Sequence, residues 1–279
     1  QLTDKLVATA GLRQYDYEKG TPRNRRNGLV RDIEGQKGTV DDVSYKFNLA
    51  YDLNDNTLIY GEWSEGFRFG PFQTPVIPEI DDPDGNGLVN FADGTERNVD
   101  PGLVESDTVE NFELGIKATF MDNKVTLNAA AFYINWTGIP VTATGQNNRN
   151  FTFSAGEAKS EGVELETQAL LSDSFVLNLA SSYIETTLVE DAPSLGGVKG
   201  DDVPSSADFN VSIGLEHQFT LRGYNSFVRA DYVYVSEYFH IINPDEDSQA
   251  SGGYSLVDLK AGINFDNIDF DLFVKNLTN

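Results

Sequence analysis

Several residue types are scarce in this chain, and each scarcity removes a class of chemistry. The sequence has no cysteine, one methionine, two tryptophans and two histidines in 279 residues. Without cysteine there is no disulfide, no thiolate nucleophile and no cysteine-ligated metal. No stretch approaches roughly 18 consecutive apolar residues, so the sequence predicts no transmembrane helix. Strands that hide their apolar residues in alternation are not excluded by that absence.

Basic residues are also outnumbered, because 20 Lys and Arg stand against 44 Asp and Glu, a formal net charge of -24. A protein that binds nucleic acid needs basic patches, so the acid excess argues against a nucleic-acid partner. The excess could instead repel anions, attract cations or solvate loops. Nothing at the start resembles a signal peptide, since the first residues read as a strand already in progress. We therefore expect either a removed targeting segment or a fragment of a longer chain.

Apolar and polar residues alternate along much of the sequence, and the clearest case is Asp107–Trp136. On one face of the first arm lie Phe112, Leu114, Ile116, Ala118 and Phe120, and on one face of the second lie Val125, Leu127, Ala129, Ala131 and Tyr133. Side chains of a strand alternate between faces, so this stretch predicts a hairpin with one apolar and one polar face. Each arm is far longer than the usual strand of about five or six residues, and suits a tilted strand that crosses a bilayer.

The same unit recurs along the chain, giving about eleven predicted strands joined alternately by short turns and long loops. We expect a polar loop from Asp16 to Asp42 and an acidic loop from Pro71 to about Ser106. Short turns on one side and long loops on the other are typical of an all-β, transmembrane antiparallel β-barrel. The turns Asp52–Asn56, Met121–Lys124 and Ser172–Ser174 would then be periplasmic, and Thr39, Asn90, Ser194 and Asp247 would lie in surface loops. A soluble β-sandwich binding module and a passive porin or adhesin-type barrel remain alternatives.

The sharpest local motif is DPDGNGLVNFAD in the second long loop. A calcium loop needs oxygen ligands at alternate positions and a glycine at the sixth, where the chain turns sharply. The predicted ligands of a structural Ca²⁺ are Asp82, Asp84, Asn86, the carbonyl of Leu88, Asn90 and Asp93. With Asp at the twelfth position, the motif resembles the calcium loop of dockerins. A chance match in an acidic, turn-rich loop is the alternative.

Two aromatic groups near the predicted strand ends are candidates for binding a ligand by stacking. They comprise Trp63, Phe67, Arg68 and Phe69, with Phe72 beside them, and Tyr238 and His240, with Phe239 between them. An interfacial girdle or loop packing is the other explanation for these aromatics. Charged residues opposite the apolar faces, such as Glu113 and Lys117, could line a transport path or simply hydrate the wall.

The sequence does not predict an enzyme. His217 lies between Leu215 and Phe219 on an apolar face, and His240 stands alone. The sequence contains no serine elbow, no zinc-binding His–carboxylate motif and no phosphate loop.

Three stretches carry a family resemblance. They are YGEWSEGFRFGPF at Tyr60–Phe72, the segment Glu110–Trp136 together with the later EGVELE at Glu161–Glu166, and the end of the chain with LFVKNLTN. In this order they resemble the barrels of TonB-dependent outer-membrane receptors. Gly70-Pro71 stands where the family has a glycine pair, so the local backbone is expected to differ there.

The resemblance implies that residues 1–279 form the C-terminal half of a 22-stranded barrel, about eleven strands with the final strand missing. It implies a location in the outer membrane of a Gram-negative bacterium, among lipid and lipopolysaccharide. The implied activity is import of a scarce small-molecule ligand, most commonly an iron–siderophore or similar chelate, and in some members a carbohydrate. The implied partners are an N-terminal plug domain, absent from this sequence, and TonB, which acts through that plug.

Overall fold

The structure is a computed structural model. It describes residues 3–20, 24–25, 32–33, 37–92, 94–100, 102–154, 156–192, 197–204, 206–240, 250–265 and 267–278. Within these ranges no helix is long and apolar enough to span a membrane.

Long strands dominate the described part of the chain. They are β1 Leu6–Gly20, β4 Lys37–Asn54, β5 Thr57–Arg68, β8 Asp107–Phe120, β9 Val125–Thr137, β12 Glu157–Ser172, β13 Phe175–Leu188, β14 Phe209–Leu221, β15 Tyr224–Val235, β16 Tyr254–Phe265 and β17 Ile268–Val274. These eleven strands form one antiparallel sheet, in the order β1-β4-β5-β8-β9-β12-β13-β14-β15-β16-β17. Each strand pairs with the next long strand of the sequence, so the predicted series of hairpins is confirmed.

Shorter elements occupy the long connections. They are β2 Asn24–Arg25, β3 Asp32–Ile33, the four-residue helix α1 Pro78–Asp81, β6 Val89–Asn90, β7 Glu96–Arg97, β10 Pro140–Thr144 and β11 Asn150–Ser154. β2 pairs with β3, β6 with β7, and β10 with β11, each in a separate two-stranded sheet. The stretch after Trp136 therefore contains a separate hairpin of β10 and β11.

The predicted bounds of the loop from Asp16 to Asp42 are wrong, because both flanking strands extend into it. β1 continues to Gly20 and β4 begins at Lys37, and the pairing runs without a break to Gly20 opposite Lys37. Thr39, expected in a surface loop, therefore lies within β4. The polar residues of this stretch hid the strand signal, because the apolar series Leu6, Ala8, Ala10 and Leu12 stops and the next aromatic residues, Tyr15 and Tyr17, lie on the opposite face. The β1–β4 hairpin consequently extends well beyond the neighbouring strands.

One face of the sheet is apolar and exposed. Its members include Leu114 at 67% exposure, Val163 at 54%, Leu215 at 40% and Leu272 at 64%. A sandwich would bury this face against a second sheet, so the soluble-sandwich alternative is excluded. Burying apolar side chains against hydrocarbon is the arrangement expected of a sheet in a bilayer.

Aromatic residues border this apolar face at two levels. At the upper level Phe47, Trp63, Phe112 and Tyr133 lie directly opposite one another on four successive strands. At the lower level Phe120 ends β8, close to the short turn. From Phe112 to Phe120 the strand rises about 27 Å, or about 20 Å normal to the membrane once tilted. This span is close to the apolar band of an outer-membrane barrel, which is about 25 Å tall.

The opposite, polar face carries aromatic rings that lie over glycines. Tyr60 is opposite Gly115, Phe132 opposite Gly162, and Phe227 opposite Gly262. A Cβ built on Gly115 would lie 2.4 Å from the Tyr60 ring, and one on Gly262 would lie 2.3 Å from the Phe227 ring. The glycines are needed because the rings occupy the space of a side chain, an arrangement that pins strand register.

Candidate functional site

The extended β1–β4 hairpin meets the start of the loop after β5 in an aromatic cluster, which comprises Tyr15, Tyr17, Phe67, Phe69 and Phe72. The Tyr15 and Phe67 rings contact edge to face at 4.4 Å between centroids, and Tyr17 lies 6.4 Å from both Phe67 and Phe69. Tyr15 also hydrogen-bonds Ser44 through its hydroxyl, at 2.9 Å. The cluster thus joins two segments far apart in sequence.

Two cations accompany the aromatic cluster. The Arg13 guanidinium lies 4.6 Å from the centre of the Tyr15 ring. The Lys19 ammonium lies 5.2 Å from the Phe69 ring and 5.7 Å from the Phe72 ring. A cation above an aromatic face is attracted by the ring quadrupole, which places the positive charge beside the ring. Aromatic faces with fixed positive charges can therefore bind a planar, anionic ligand.

Arg68 ends β5 and is locked in place by a buried carboxylate. Its Nε and Nη2 donate to the two oxygens of Asp107 at 3.0 and 2.8 Å, while Trp136 Nε1 donates to the same carboxylate at 2.7 Å. The Asp107 side chain is 7% exposed and that of Arg68 is 60% exposed. This geometry fixes the ends of β5, β8 and β9 together and presents one edge of the guanidinium to solvent.

The structure brings together only part of the predicted ligand set. Phe67 and Phe69 join the aromatic cluster, whereas Trp63 stacks on Phe47 at 5.6 Å on the apolar face of the sheet. Trp63 therefore belongs to the upper aromatic level, and its contact with a ligand stays a prediction. Tyr238 and His240 contact each other edge to face at 5.2 Å in a separate segment after β15. Sequence reasoning missed Tyr15 and Tyr17, although their alternation in β1 was visible.

Gly70 shapes the backbone where the loop leaves the cluster. A Cβ on Gly70 would lie 1.9 Å from the Val104 carbonyl oxygen, so only glycine fits this close approach. The following Pro71 accepts a hydrogen bond from Val104 N at 2.9 Å. The replacement of the family's second glycine by proline is therefore compatible with the ladder here, since only the proline carbonyl is used.

The loop after β5 and the β10–β11 hairpin share a small hydrophobic core. Its buried members are Val89, Phe91, Val99 and Phe151, with Val76, Ala143 and Phe153 packed against them. Phe91 and Phe151 are fully buried, with ring centroids 5.8 Å apart. Backbone bonds join the same segments, from Ala92 N to Thr144 O at 2.9 Å and from Gln146 N to Asn90 O at 3.0 Å.

Buried polar contacts strengthen this junction. Asp81 is 2% exposed, pairs with Arg149 Nε at 3.2 Å and accepts from Ile77 N at 2.7 Å. Arg149 also donates to the Pro75 carbonyl. Gln73, 4% exposed, uses its amide like a strand partner, donating to Thr152 O at 2.6 Å and accepting from Thr152 N at 3.0 Å. We call these joined residues of 69–106 and 138–156 the mouth lobe.

A second core connects the base of the mouth lobe to the sheet and to the next long loop. It contains Ile139, Val141, Ala158, Leu188 and Ala192, with Trp136 and Val203 packed against them. Trp136 belongs to this core and also donates to Asp107. The mouth lobe therefore has a continuous packed connection to the ends of β9, β12 and β13.

The predicted calcium segment lies on the surface of the mouth lobe. The Asp82 carboxylate accepts from Asn86 N at 3.0 Å and Gly87 N at 2.9 Å. Gly87, at the sixth position, has φ +87°, as the predicted turn requires. The Asn86 amide donates to both Asp84 and Glu96 at 3.0 Å, which adds a carboxylate that the motif did not predict.

Two of the remaining predicted ligands, Leu88 and Asn90, already make backbone hydrogen bonds. Leu88 donates through its N–H to Asn86 Oδ1 at 2.7 Å, and Asn90 O is used by Gln146 N. Asp93 lies outside the described residues. Among the residues that the structure does describe, no three His, Cys, Asp or Glu converge closely enough to hold a metal ion. Desolvation raises the pKa of Asp82, but the hydrogen bonds it accepts outweigh this effect and leave the pKa below its ordinary value.

The polar face of the sheet carries paired charges below the mouth lobe. The pairs are Lys46 with Glu62 at 2.6 Å, Arg229 with Asp231 at 2.7 Å and Lys260 with Asp271 at 2.9 Å, and Tyr60 donates to Glu113 at 2.5 Å. A hollow of about 640 Å³ lies at the short-turn end of this face, lined by residues that include Glu216, Gln218, Asn264 and Asp269. These contacts support the interpretation of the face as a hydrated wall.

A tilted sheet with an apolar, aromatic-bordered outside, a charged inside and a packed lobe at its long-loop end defines the class: an outer-membrane β-barrel wall with an ordered mouth. The comparison with protein families specifies it further. The model of the TonB-dependent receptor-like β-barrel matches residues 1–277. The chain belongs to this family.

Individual relatives are distant in sequence but similar in fold. The chain is 23% identical over 207 residues to a probable TonB-dependent siderophore receptor PiuA of Acinetobacter baumannii, covering 72% of this chain and 24% of that protein. It is 20% identical over 234 residues to the metal-pseudopaline receptor CntO of Pseudomonas aeruginosa, covering 84% and 29%. The ferric yersiniabactin uptake receptor FyuA of Yersinia pestis superposes with TM-score 0.73 at 19% identity, covering 99% and 38%.

The chain thus spans about a quarter of the length of these curated relatives. Members of the family are transport receptors of the Gram-negative outer membrane, and they bind a small-molecule ligand and interact with TonB and a plug domain.

Proposed function

We propose that this chain is the C-terminal half of the barrel of an outer-membrane receptor that imports an iron–siderophore or similar metal chelate. A plug domain upstream would fill the lumen, and energy would come from the inner membrane through TonB. The observation that carries the proposal is the family match over residues 1–277, supported by curated relatives that are themselves siderophore or metal-chelate receptors. Lipid and lipopolysaccharide would surround the apolar face.

Two other functions remain testable. A passive barrel would need no energy coupling, and a carbohydrate importer would need no metal. The aromatic cluster with Arg13 and Lys19 favours an anionic chelate over a neutral sugar, because cations beside aromatic rings bind planar anions well. We infer that Phe67, Arg68 and Phe69 contact the ligand together with Tyr15 and Tyr17, and that Tyr238 and His240 are a second, independent candidate contact.

The test is uptake of radioactive iron by cells that carry the full-length receptor and no other iron receptor. The probe is the siderophore extract of the source bacterium, grown without iron and then loaded with radioactive iron. We expect uptake that disappears when tonB is deleted or the proton gradient is collapsed. Uptake that persists without TonB would indicate a passive barrel. Absence of iron uptake together with TonB-dependent growth on an oligosaccharide would indicate a carbohydrate importer.

We also propose that the segment from Asp82 to Asp93 binds a structural Ca²⁺. The support is the order of oxygen side chains and the left-handed Gly87 at the position where a calcium loop turns. Glu96 is an additional oxygen donor within reach of Asn86. Calcium would neutralise the clustered carboxylates and hold this part of the mouth lobe in one shape.

Limited proteolysis of the full-length receptor tests the calcium proposal. Chelation should speed cleavage between residues 80 and 100, and Asp84→Ala should cleave rapidly with or without calcium. Asp100→Ala, an exposed acid of the same loop outside the motif, is the matched control and should retain the calcium response. Cleavage that is unaffected by both chelation and Asp84→Ala would mean that the motif is a chance match.

A further inference from the structure

Long loops at the mouth of a transport barrel are natural candidates for lids, yet those of the mouth lobe are built like a small domain. A mobile lid has few buried contacts and many solvent-exposed backbone hydrogen bonds. The mouth lobe has the opposite construction, with a fully buried Phe91–Phe151 pair and a buried ion pair at Asp81.

The contacts that join the two loops would be broken together if either loop opened. Arg149 reaches from the β10–β11 hairpin to both Asp81 and the Pro75 carbonyl, so its loss would leave a carboxylate at 2% exposure without its counter-charge. Gln73 supplies the strand β11 with two hydrogen bonds at Thr152. Because each contact crosses from one loop to the other, neither loop can open alone without breaking this set.

The lobe is also attached to the sheet at three places. The second core packs Ile139 and Val141 against Leu188. The Asp107 carboxylate joins Arg68 and Trp136, at the roots of both loops. Leu103 packs against β4 at Gly38, where an added Cβ would lie 3.3 Å from Leu103 Cβ.

We propose that the mouth lobe is a fixed, preorganised wall of the receptor mouth that does not open or close when a chelate enters. Opening is then confined to parts of the receptor outside the lobe. A wall that is already ordered loses little conformational entropy on binding, which favours affinity. The proposal concerns motion and does not depend on which substrate the receptor imports.

Two engineered disulfides test the fixed wall. Ala92→Cys with Thr144→Cys joins the two loops, because Ala92 N donates to the Thr144 carbonyl at 2.9 Å beside the Phe91–Gly145 bridge. Hydrogen-bonded residues on antiparallel segments have Cα atoms about 5.5 Å apart, which suits a disulfide. Gly38→Cys with Leu103→Cys joins the lobe to β4. Residues 1–279 contain no other cysteine, and any cysteine elsewhere in the full-length receptor is replaced by serine, so oxidation should produce one defined crosslink in each case.

The measurement is iron uptake from the siderophore extract by cells that carry the full-length receptor in its oxidised or reduced form. We expect equal uptake in both forms, because the disulfides restrain no motion that entry of a chelate needs. Uptake that stops on oxidation and returns on reduction would show that the lobe moves, and would overturn the proposal.

Hydrogen exchange of the full-length Arg149→Ala variant tests whether the two loops form one lobe. Breaking a buried ion pair should raise exchange of amides in both loops together by more than about 100-fold, including Ile77–Asp82 on the partner loop. Lys37→Ala removes an ion pair whose side chains are 80% and 64% exposed, and it should leave the lobe unchanged. Faster exchange confined to the β10–β11 hairpin in Arg149→Ala would show that the two loops are independent. It would overturn the claim that they form one lobe.

Discussion

At the scale of single residues, the carboxylate of Asp107 makes the most concentrated set of contacts in the mouth. We expect Asp107→Asn to lower the free energy of unfolding by about 1.5–3 kcal/mol, because hydrogen bonds to a charged acceptor are lost. The lower value is favoured, since the Arg68 side chain is 60% exposed. The midpoint of thermal unfolding in detergent measures this change.

The matched control for Asp107 is Glu18→Gln, which weakens the exposed pair with Lys37. Such pairs contribute at most about 1 kcal/mol, so the midpoint should hardly move. Equal shifts for the two variants would contradict the view that Asp107 joins the ends of β5, β8 and β9.

Gly115 offers a second prediction at this scale. We expect Gly115→Ala to destabilise the receptor by about 1–3 kcal/mol, because the new methyl group would overlap the Tyr60 ring. Gly61→Ala is the control, since its Cβ would meet only a carbonyl oxygen at 4.0 Å. In a Tyr60→Ala background, Gly115→Ala should cost much less than in the wild type, and an equal cost in both backgrounds would refute the steric explanation.

At the scale of the strands, the two faces of the sheet should respond oppositely to charge. Ile116 lies on the apolar face midway between Phe112 and Phe120, and Ile116→Arg should destabilise by about 2–4 kcal/mol. Asn128, opposite Lys117 on the polar face at the same depth, should tolerate Asn128→Arg with little loss. Urea unfolding in lipid vesicles compares the two variants, and similar losses would argue against lipid on the apolar side.

The strands were largely predictable because apolar residues recur at every second position in most of the hairpins. The two-residue period fails to show the end of β1, where the polar residues beyond Tyr15 hid a strand that runs to Gly20. The position of Trp63 at the upper aromatic level could not be read from the sequence for a related reason. Its neighbours in sequence suggested a site with Phe67, whereas its face is fixed by register with Phe47 and Phe112, which no local pattern records.

The loops were far less predictable than the strands. Their cores depend on contacts such as Phe91 with Phe151 and Asp81 with Arg149, which join positions about 60 residues or more apart without any repeating pattern. The predicted calcium segment gave local turn geometry correctly at Gly87. It gave no sign that the neighbouring Val89 and Phe91 belong to a shared core.

At the scale of the whole molecule, the sheet, its turns and the mouth lobe define an orientation in the membrane. Turns such as Asp55–Asn56 lie at one end of the strands, and the mouth lobe lies at the other. In a receptor that captures ligands from outside, the lobe must face the medium and the turns must face the periplasm. The binding of a chelate at the aromatic cluster depends on this orientation.

Labelling of single cysteines in intact cells measures that orientation most directly. Gln146→Cys places an exposed thiol on the mouth lobe, while Asp55→Cys and Asp173→Cys place exposed thiols in two short turns. An impermeant maleimide should label Gln146→Cys in intact cells and should label the turn variants only after the outer membrane is broken. Labelling of the turn variants in intact cells, with Gln146→Cys protected, would contradict the orientation on which the proposed receptor function rests.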